Sequence, residues 1–269
     1  RGGSHGMTSD RWSDLKPRLI SAAVMIAIGA VEIWAGGAPF MALAVLVVGG
    51  MMWELARMTR AGAGVDQSIA LGVLAGAVLG LSLFLLERGH MVVGFALLVL
   101  PAVMGISTPR RDRRVFYGYS ILIMLTGIAL VYLREQGVGL VLWLVCVVVI
   151  SDVAGYFVGR IMGGPKFWPS VSPKKTWSGT IAGWFGALAV GLGFYLSGHA
   201  PASVLWLSPV VAFAGQMGDI AESAIKRRAG VKDSSNLIPG HGGLLDRFDA
   251  LMGGALVAAL AASQWAGPV

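Results

Sequence analysis

The chain has 269 residues, a net charge of +7, 56% hydrophobic residues and only 13% charged ones, with a mean hydropathy of +0.74. An ordinary soluble domain carries roughly a quarter charged residues, so the composition excludes one and specifies an integral membrane protein. The single cysteine, Cys146, lies in an apolar run, which rules out an intrachain disulfide and argues against a cysteine metal site.

In chain order, RGGSHG at 1–6 reads as an expression-tag remnant ahead of Met7, which leaves 7–269 as one transmembrane domain. A helix needs about 17 to 25 apolar residues to cross roughly 30 Å of hydrocarbon. On that window the sequence predicts an all-α, polytopic protein with nine spans, at 19–36, 39–56, 69–86, 91–107, 115–133, 138–161, 178–197, 202–223 and 244–265. Neither an internal repeat nor a low-complexity linker divides them.

The connections alternate in charge, and that alternation is an orientation signal. Arg11, Lys16 and Arg18 precede the first span. Every second connection is basic: Arg57 and Arg60, then Arg110, Arg111, Arg113 and Arg114, then Arg160, Lys166, Lys174 and Lys175, then Lys226, Arg227, Arg228 and Lys232. Only Arg88 and Arg134 fall on the other side. The N-terminus is therefore expected in the cytoplasm and the C-terminus outside. The positive charge then reports topology and attraction to anionic headgroups, with no nucleic-acid partner implied.

Carboxylates inside spans are costly and mark a partner or a water-filled cavity. Glu54, Asp152, Asp219, Glu222, Asp246 and Asp249 all map to the expected cytoplasmic half, which favours a one-sided site over a pathway through the bilayer. Asp246 and Asp249, spaced i, i+3, share a helical face and can touch one divalent ion together with Asp219; each also suits a helix N-terminus as a simple dipole partner. Glu222 with Lys226, at i, i+4, fits a helix salt bridge. Gly240, Gly242 and Gly243 around His241 allow a tight turn whose N–H groups could meet phosphate. In SPKKTWSG, Lys174 and Lys175 are interfacial cations flanked by Ser172, Thr176 and Ser178. Arg110, Arg111, Arg113 and Arg114 read as topology and lipid contact. Gly179 and Gly183 form a GxxxG, which allows close helix packing.

The pattern Ser223-x-Ile225-Lys226-Arg227, then Lys232-Asp233, then Pro239-x-His241-Gly242-Gly243-x-x-Asp246-Arg247-x-Asp249 resembles the C-terminal signature of the phosphatidate cytidylyltransferases, or CDP-diacylglycerol synthases. Asp152-x-x-Gly155-Tyr156, with Ser172-Pro173-Lys174-Lys175-Thr176 and Gly179, is similar to the family's upstream motif, with Gly155 where alanine is commoner. The motifs cover 152–249. The resemblance implies condensation of CTP with phosphatidic acid in a bacterial inner membrane, with the active site facing the cytoplasm. It implies Mg²⁺ dependence, with one or two divalent ions, and leaves a monovalent cation open; a homodimer is compatible with it. Catalytic roles then fall to Asp219, Lys226, Arg227, Lys232, His241, Asp246, Arg247 and Asp249, with Asp219, Asp246 and Asp249 on metal. Substrate and phosphate contacts fall to Asp152, Ser172, Lys174, Lys175, Ser223, Gly242 and Gly243. The competing readings are a cation-coupled transporter and a CTP-dependent enzyme acting on an isoprenoid or ether lipid.

Overall fold

The apolar runs fold into helices whose ends fall where glycine, proline or clustered charge interrupts them. A computed structural model describes residues 15–62 and 66–265; the tag remnant expected at 1–6 and Arg11 lie outside the described residues. In chain order the helices are α1 (Leu15–Ala35), α2 (Gly37–Met58), α3 (Ser68–Glu87), α4 (Met91–Leu97), α5 (Leu100–Ile106), α6 (Arg113–Gln136) and α7 (Val138–Met162). A hairpin of β1 (Lys166–Trp168) and β2 (Ser172–Thr176) follows, then α8 (Trp177–Leu196), α9 (Val204–Ala229) and α10 (Leu245–Trp265).

Seven of these helices, α1, α2, α3, α6, α7, α8 and α9, are long and apolar enough to cross a membrane. The other two of the nine expected spans are less regular. The fourth span divides at Leu98 and Val99 into α4 and α5, because Pro101 at the start of α5 lacks an N–H and crowds the turn before it. The ninth is α10, a 21-residue helix that opens on Asp246, Arg247 and Asp249 and falls outside the seven. The all-α reading needs one amendment. The 160–177 connection contains the antiparallel hairpin, with Lys166 opposite Thr176 and Trp168 opposite Ser172. Its stem is held by Trp177 N–H donating to the Pro165 carbonyl at 3.0 Å and by an edge-on contact of Phe167 with Trp177, 4.6 Å between ring centres.

Two groups of helices share the core. In one, α2 packs on α3 and α6 around Met51, Met52, Leu55, Leu79, Ile123 and Met124, all shielded from solvent. In the other, α7, α8, α9 and α10 pack in sequence, and Trp143 bridges α7 to α9 by donating to Ser208 Oγ at 2.9 Å. α1 lies at the periphery with Leu19, Val24, Ile26 and Trp34 exposed, as a lipid-facing helix requires. Of the two cations that break the charge alternation, Arg134 closes the end of α1 by donating to the carbonyls of Ile33 at 2.6 Å and Trp34 at 3.1 Å. Arg88 lies 4.8 Å from the Phe84 ring.

Candidate active site

The site begins with small residues. Gly218 and Gly253 bring α9 and α10 together so closely that a side chain at Gly218 would meet the Asp249 carbonyl and one at Gly253 the Ala214 carbonyl. Packing through glycine and alanine is how helices approach without a hydrophobic drive between them. The approach sets Asp219 and Glu222 of α9 against Asp249 of α10, with one oxygen of each within 4.8 Å of the others. The resemblance put Asp246 in this trio; the structure puts Glu222 there, a residue the spacing suggested was a helix salt bridge. That salt bridge also forms, Lys226 Nζ lying 2.5 Å from Glu222 Oε2. Glu222 is 0% exposed and its Oε1 has no hydrogen-bond partner. Such an orphaned buried carboxylate oxygen, beside two further carboxylates, fits a hard cation with oxygen ligands.

Asp246 is occupied differently. Its Oδ1 accepts from Lys226 Nζ at 2.6 Å, and its Oδ2 accepts from the N–H of Ser234 at 2.8 Å, Ser234 Oγ at 2.7 Å and the N–H of Gly243 at 2.8 Å. It therefore fastens the loop between α9 and α10 while Lys226 links it to Glu222. The glycine turn serves the same fastening. Gly243 leaves space that a side chain would fill against Glu54 and Ser234, and Gly240 and Gly242 take positive φ, 74° and 82°. His241, expected on phosphate, has Nδ1 2.8 Å from Ser21 Oγ of α1, and Ser21 also donates to the Pro239 carbonyl at 2.9 Å.

Glu54, at the end of α2, completes the loop from across the molecule. Fully buried, it accepts at Oε1 from Ser235 Oγ at 2.6 Å and Leu244 N–H at 2.9 Å, and at Oε2 from Leu245 N–H at 2.7 Å. Ser234 Oγ lies 3.1 Å from Oε2; its one proton serves either Glu54 or Asp246 at a time. The carboxylate thus satisfies otherwise unpaired N–H groups at the start of α10. A charge at the end of an apolar span was visible in the sequence. Its partners, nearly two hundred residues away, were not.

The opposite wall comes from α7, α8 and the hairpin. Gly155 and Gly159 of α7 meet Gly179 of α8 backbone to backbone, so the GxxxG packs within the chain. Thr176 caps α8 by accepting from Gly179 N–H at 3.2 Å, which sets the hairpin at the mouth of a cavity of about 700 Å³. Asp152, Asp219, Asp246, Asp249, Lys174 and Lys175 line it, together with Tyr156, Arg160, Lys166 and Gln216. Lys175 Nζ lies 2.5 Å from Asp219, to which Ser223 Oγ donates at 3.4 Å. Gln216 was missed from sequence. Its side chain accepts from Trp184 Nε1 at 3.0 Å and donates to Ser151 Oγ and the Thr180 carbonyl at 3.4 Å each, and its main-chain carbonyl accepts from Lys175 Nζ at 3.4 Å. An amide three residues before Asp219, in an apolar run, was the available signal.

Three expected cations lie elsewhere. Arg227 and Arg247 are exposed, and Lys232 lines a different cavity. Ser172 begins β2 and lies outside the lining of the acid-bearing cavity.

Carboxylates gathered at one end of a helical bundle, beside lysines on a hairpin, have the chemistry to meet a cation and a phosphate in a membrane protein. The comparisons agree. Residues 16–264 match the Cytidylyltransferase family. A phosphatidate cytidylyltransferase of Brucella suis biovar 1 is 37% identical over 275 residues, 95% of this chain and 96% of the relative. One of Brucella melitensis biotype 1 matches with the same identity and coverage, and one of Staphylococcus saprophyticus is 41% identical over 133 residues, 47% of this chain and 51% of the relative. The chain belongs to the phosphatidate cytidylyltransferase family, and it is a nucleotidyltransferase of phospholipid biosynthesis.

Proposed function

We propose that the protein condenses CTP with phosphatidic acid to CDP-diacylglycerol and pyrophosphate. The observation that carries this reading is the meeting of Asp219, Glu222 and Asp249, two of which, Asp219 and Asp249, line a cavity whose lining also includes Lys174 and Lys175. A phosphate monoester has its second pKa near ~6, so phosphatidate is largely dianionic at neutral pH and needs no strong general base. Its phosphate oxygen attacks the α-phosphorus of CTP. The new P–O bond forms as the bond from that phosphorus to the bridging oxygen breaks, and pyrophosphate leaves with that electron pair. Position and charge neutralisation do the catalysis.

Asp219, Asp249 and Glu222 would hold the cation, with Asp246 setting the position of Lys226 beside them. A divalent ion held there would supply positive charge that offsets the charge developing on the phosphates. Lys174 and Lys175 neutralise the triphosphate from the hairpin, and Arg160 and Lys166 extend that basic rim. Tyr156 is exposed where α7 meets the cavity, a route by which a lipid headgroup enters sideways between helices.

The same reading places residues 7–269 in a single catalytic domain of a bacterial inner membrane. There are nine crossings: the seven long helices, the α4–α5 pair and α10. The N-terminus and the active site face the cytoplasm, where CTP resides. The test is incorporation of radiolabelled CTP into lipid by purified protein in detergent, with phosphatidate, Mg²⁺ or EDTA, beside Asp219→Asn. Metal-dependent product that disappears in the variant is expected. A folded, lipid-supplied protein that makes no CDP-diacylglycerol overturns the substrate, and a panel of isoprenoid and ether-lipid phosphates then separates the nearest rival.

A further inference from the structure

A second cavity, about 750 Å³, shares no lining residue with the acid-bearing one. Among the described residues, four cations line it, Arg57, Arg60, Arg111 and Lys232, against one lining carboxylate, Asp233. Three separate connections are tied together to make it. Ala61 N–H donates to the Pro109 carbonyl at 3.1 Å and Arg111 N–H to the Thr59 carbonyl at 2.9 Å. Arg111 reaches onward to the Ala229 carbonyl at 3.0 Å, which brings the end of α9 to the same place.

The four arginines before α6, which the sequence read as one topology cluster, separate by role. Arg110 is a structural tie, donating to the Ala56 carbonyl and lying 4.3 Å from the Phe116 ring, with burial pulling its guanidinium below the usual arginine range. Arg113 and Arg114 are exposed at the start of α6. Arg111 alone of the four lines the cavity.

Membrane anchoring needs positive charge near headgroups; it does not need four cations gathered around one hollow, where they repel one another. Asp66 relieves part of that repulsion by pairing with Arg60 at 3.3 Å. Arg57 lies 5.7 Å from the Trp53 ring, and Trp53, Val231 and Leu237 give the same hollow apolar wall. Guanidinium forks beside an apolar surface match a phosphate carried on an organic group.

We infer that this cavity is a second phosphate-binding site, distinct from the reacting centre, taking a phosphate-bearing anion from a lipid headgroup or from solution. Its wall is the loop that holds the reacting centre together. Ser234 and Ser235 line it and donate to Asp246 and Glu54, so its occupant bears directly on the segment that positions Lys226.

The experiment is equilibrium dialysis of radiolabelled pyrophosphate against purified protein in neutral detergent, with no turnover required. Two equivalents per chain are expected for the wild type, one for Arg57→Gln/Arg60→Gln and two for the control Arg113→Gln/Arg114→Gln. The lost equivalent is expected to weaken by about tenfold or more. Lys174→Gln/Lys175→Gln is expected to lose the other equivalent, so the two sites are read separately and a failure of the proposed reaction does not touch this result. Size-exclusion elution checks folding, and Arg57→Lys/Arg60→Lys, which keeps the charge but not the forks, should retain both equivalents with the second bound more weakly than in the wild type and more tightly than in the Gln pair. A single equivalent in the wild type, or both retained in the Gln pair, overturns the inference. Repeating the dialysis in nanodiscs identifies the source: a second equivalent lost only when phosphatidylglycerol is added to phosphatidylcholine assigns the site to lipid headgroups, and one retained in both assigns it to a soluble phosphate.

Discussion

The bundle of α2, α3 and α6 and the bundle of α7 to α10 are built from similar apolar helices, yet only the second carries the acid-bearing cavity. The first fills its centre with methionine, leucine and isoleucine side chains. In the second, glycines remove side chains from the helix contacts, backbones approach, and the volume left at one end is lined with charge. Close packing there creates the site instead of filling it. Glu54 is the exception that joins the two regions, since it leaves the apolar bundle to fasten the loop of the other.

The largest break in this comparison comes from the acids themselves. Asp219→Asn and Asp249→Asn should each lower turnover on the order of a thousandfold, equivalent to about 4 kcal/mol of barrier, with little change in thermal stability in detergent. Met51→Ala, in the first bundle, should do the reverse: about 2 to 5 kcal/mol of stability lost and turnover per folded molecule kept. If Met51→Ala abolished turnover in folded protein, the division between the two regions would fail.

Glu54→Ala should move both readouts. Removing a buried carboxylate that holds a side-chain hydroxyl and two helix N–H groups costs about 3 kcal/mol or more, and the freed loop should reduce turnover at least about tenfold. Normal activity in a destabilised variant would reduce Glu54 to a purely structural role.

Glycine substitutions sharpen the contrast more finely. Gly253→Ala meets the Ala214 carbonyl, backbone that does not yield, whereas Gly127→Ala in the first bundle meets the ends of the Leu79 and Val48 side chains. About 1 to 3 kcal/mol of overpacking is expected for the first, less for the second. Only Gly253→Ala should raise the Mg²⁺ concentration needed for half-maximal turnover, because it parts α9 from α10. The smallest effect belongs to Arg228→Ala. Its exposed pair with Asp112, at 3.3 Å, should be worth no more than about 0.5 kcal/mol, and thermal melts that show a large drop would mean that the surface between the bundles matters more than its exposure indicates.

Much of the helix order could be read in advance, since hydropathy is local and each apolar run carries its own boundaries. The fourth span could not be trusted to length alone because Pro101 acts within one turn. The hairpin at 166–176 was hidden by its shortness, three and five residues, and by its reliance on Phe167, Trp177 and Pro165 for support. Within the site, Asp219 and Asp249 were legible as acids at a telling depth. The exchange of Asp246 for Glu222 was not, because both share their helices with a candidate ligand and only the rotation of α9 against α10 decides which oxygen faces inward.

Sequence by itself determined that this protein lives in a membrane, that its cations cluster in alternate connections, and that its motifs are those of a cytidylyltransferase. Those properties are sums over residues or spacings along one helix. The tertiary structure alone decided which carboxylates meet, that Glu54 reaches the start of α10, and that the cations divide between two cavities. Each of these depends on how closely two backbones distant in the chain approach, and that distance is set by packing.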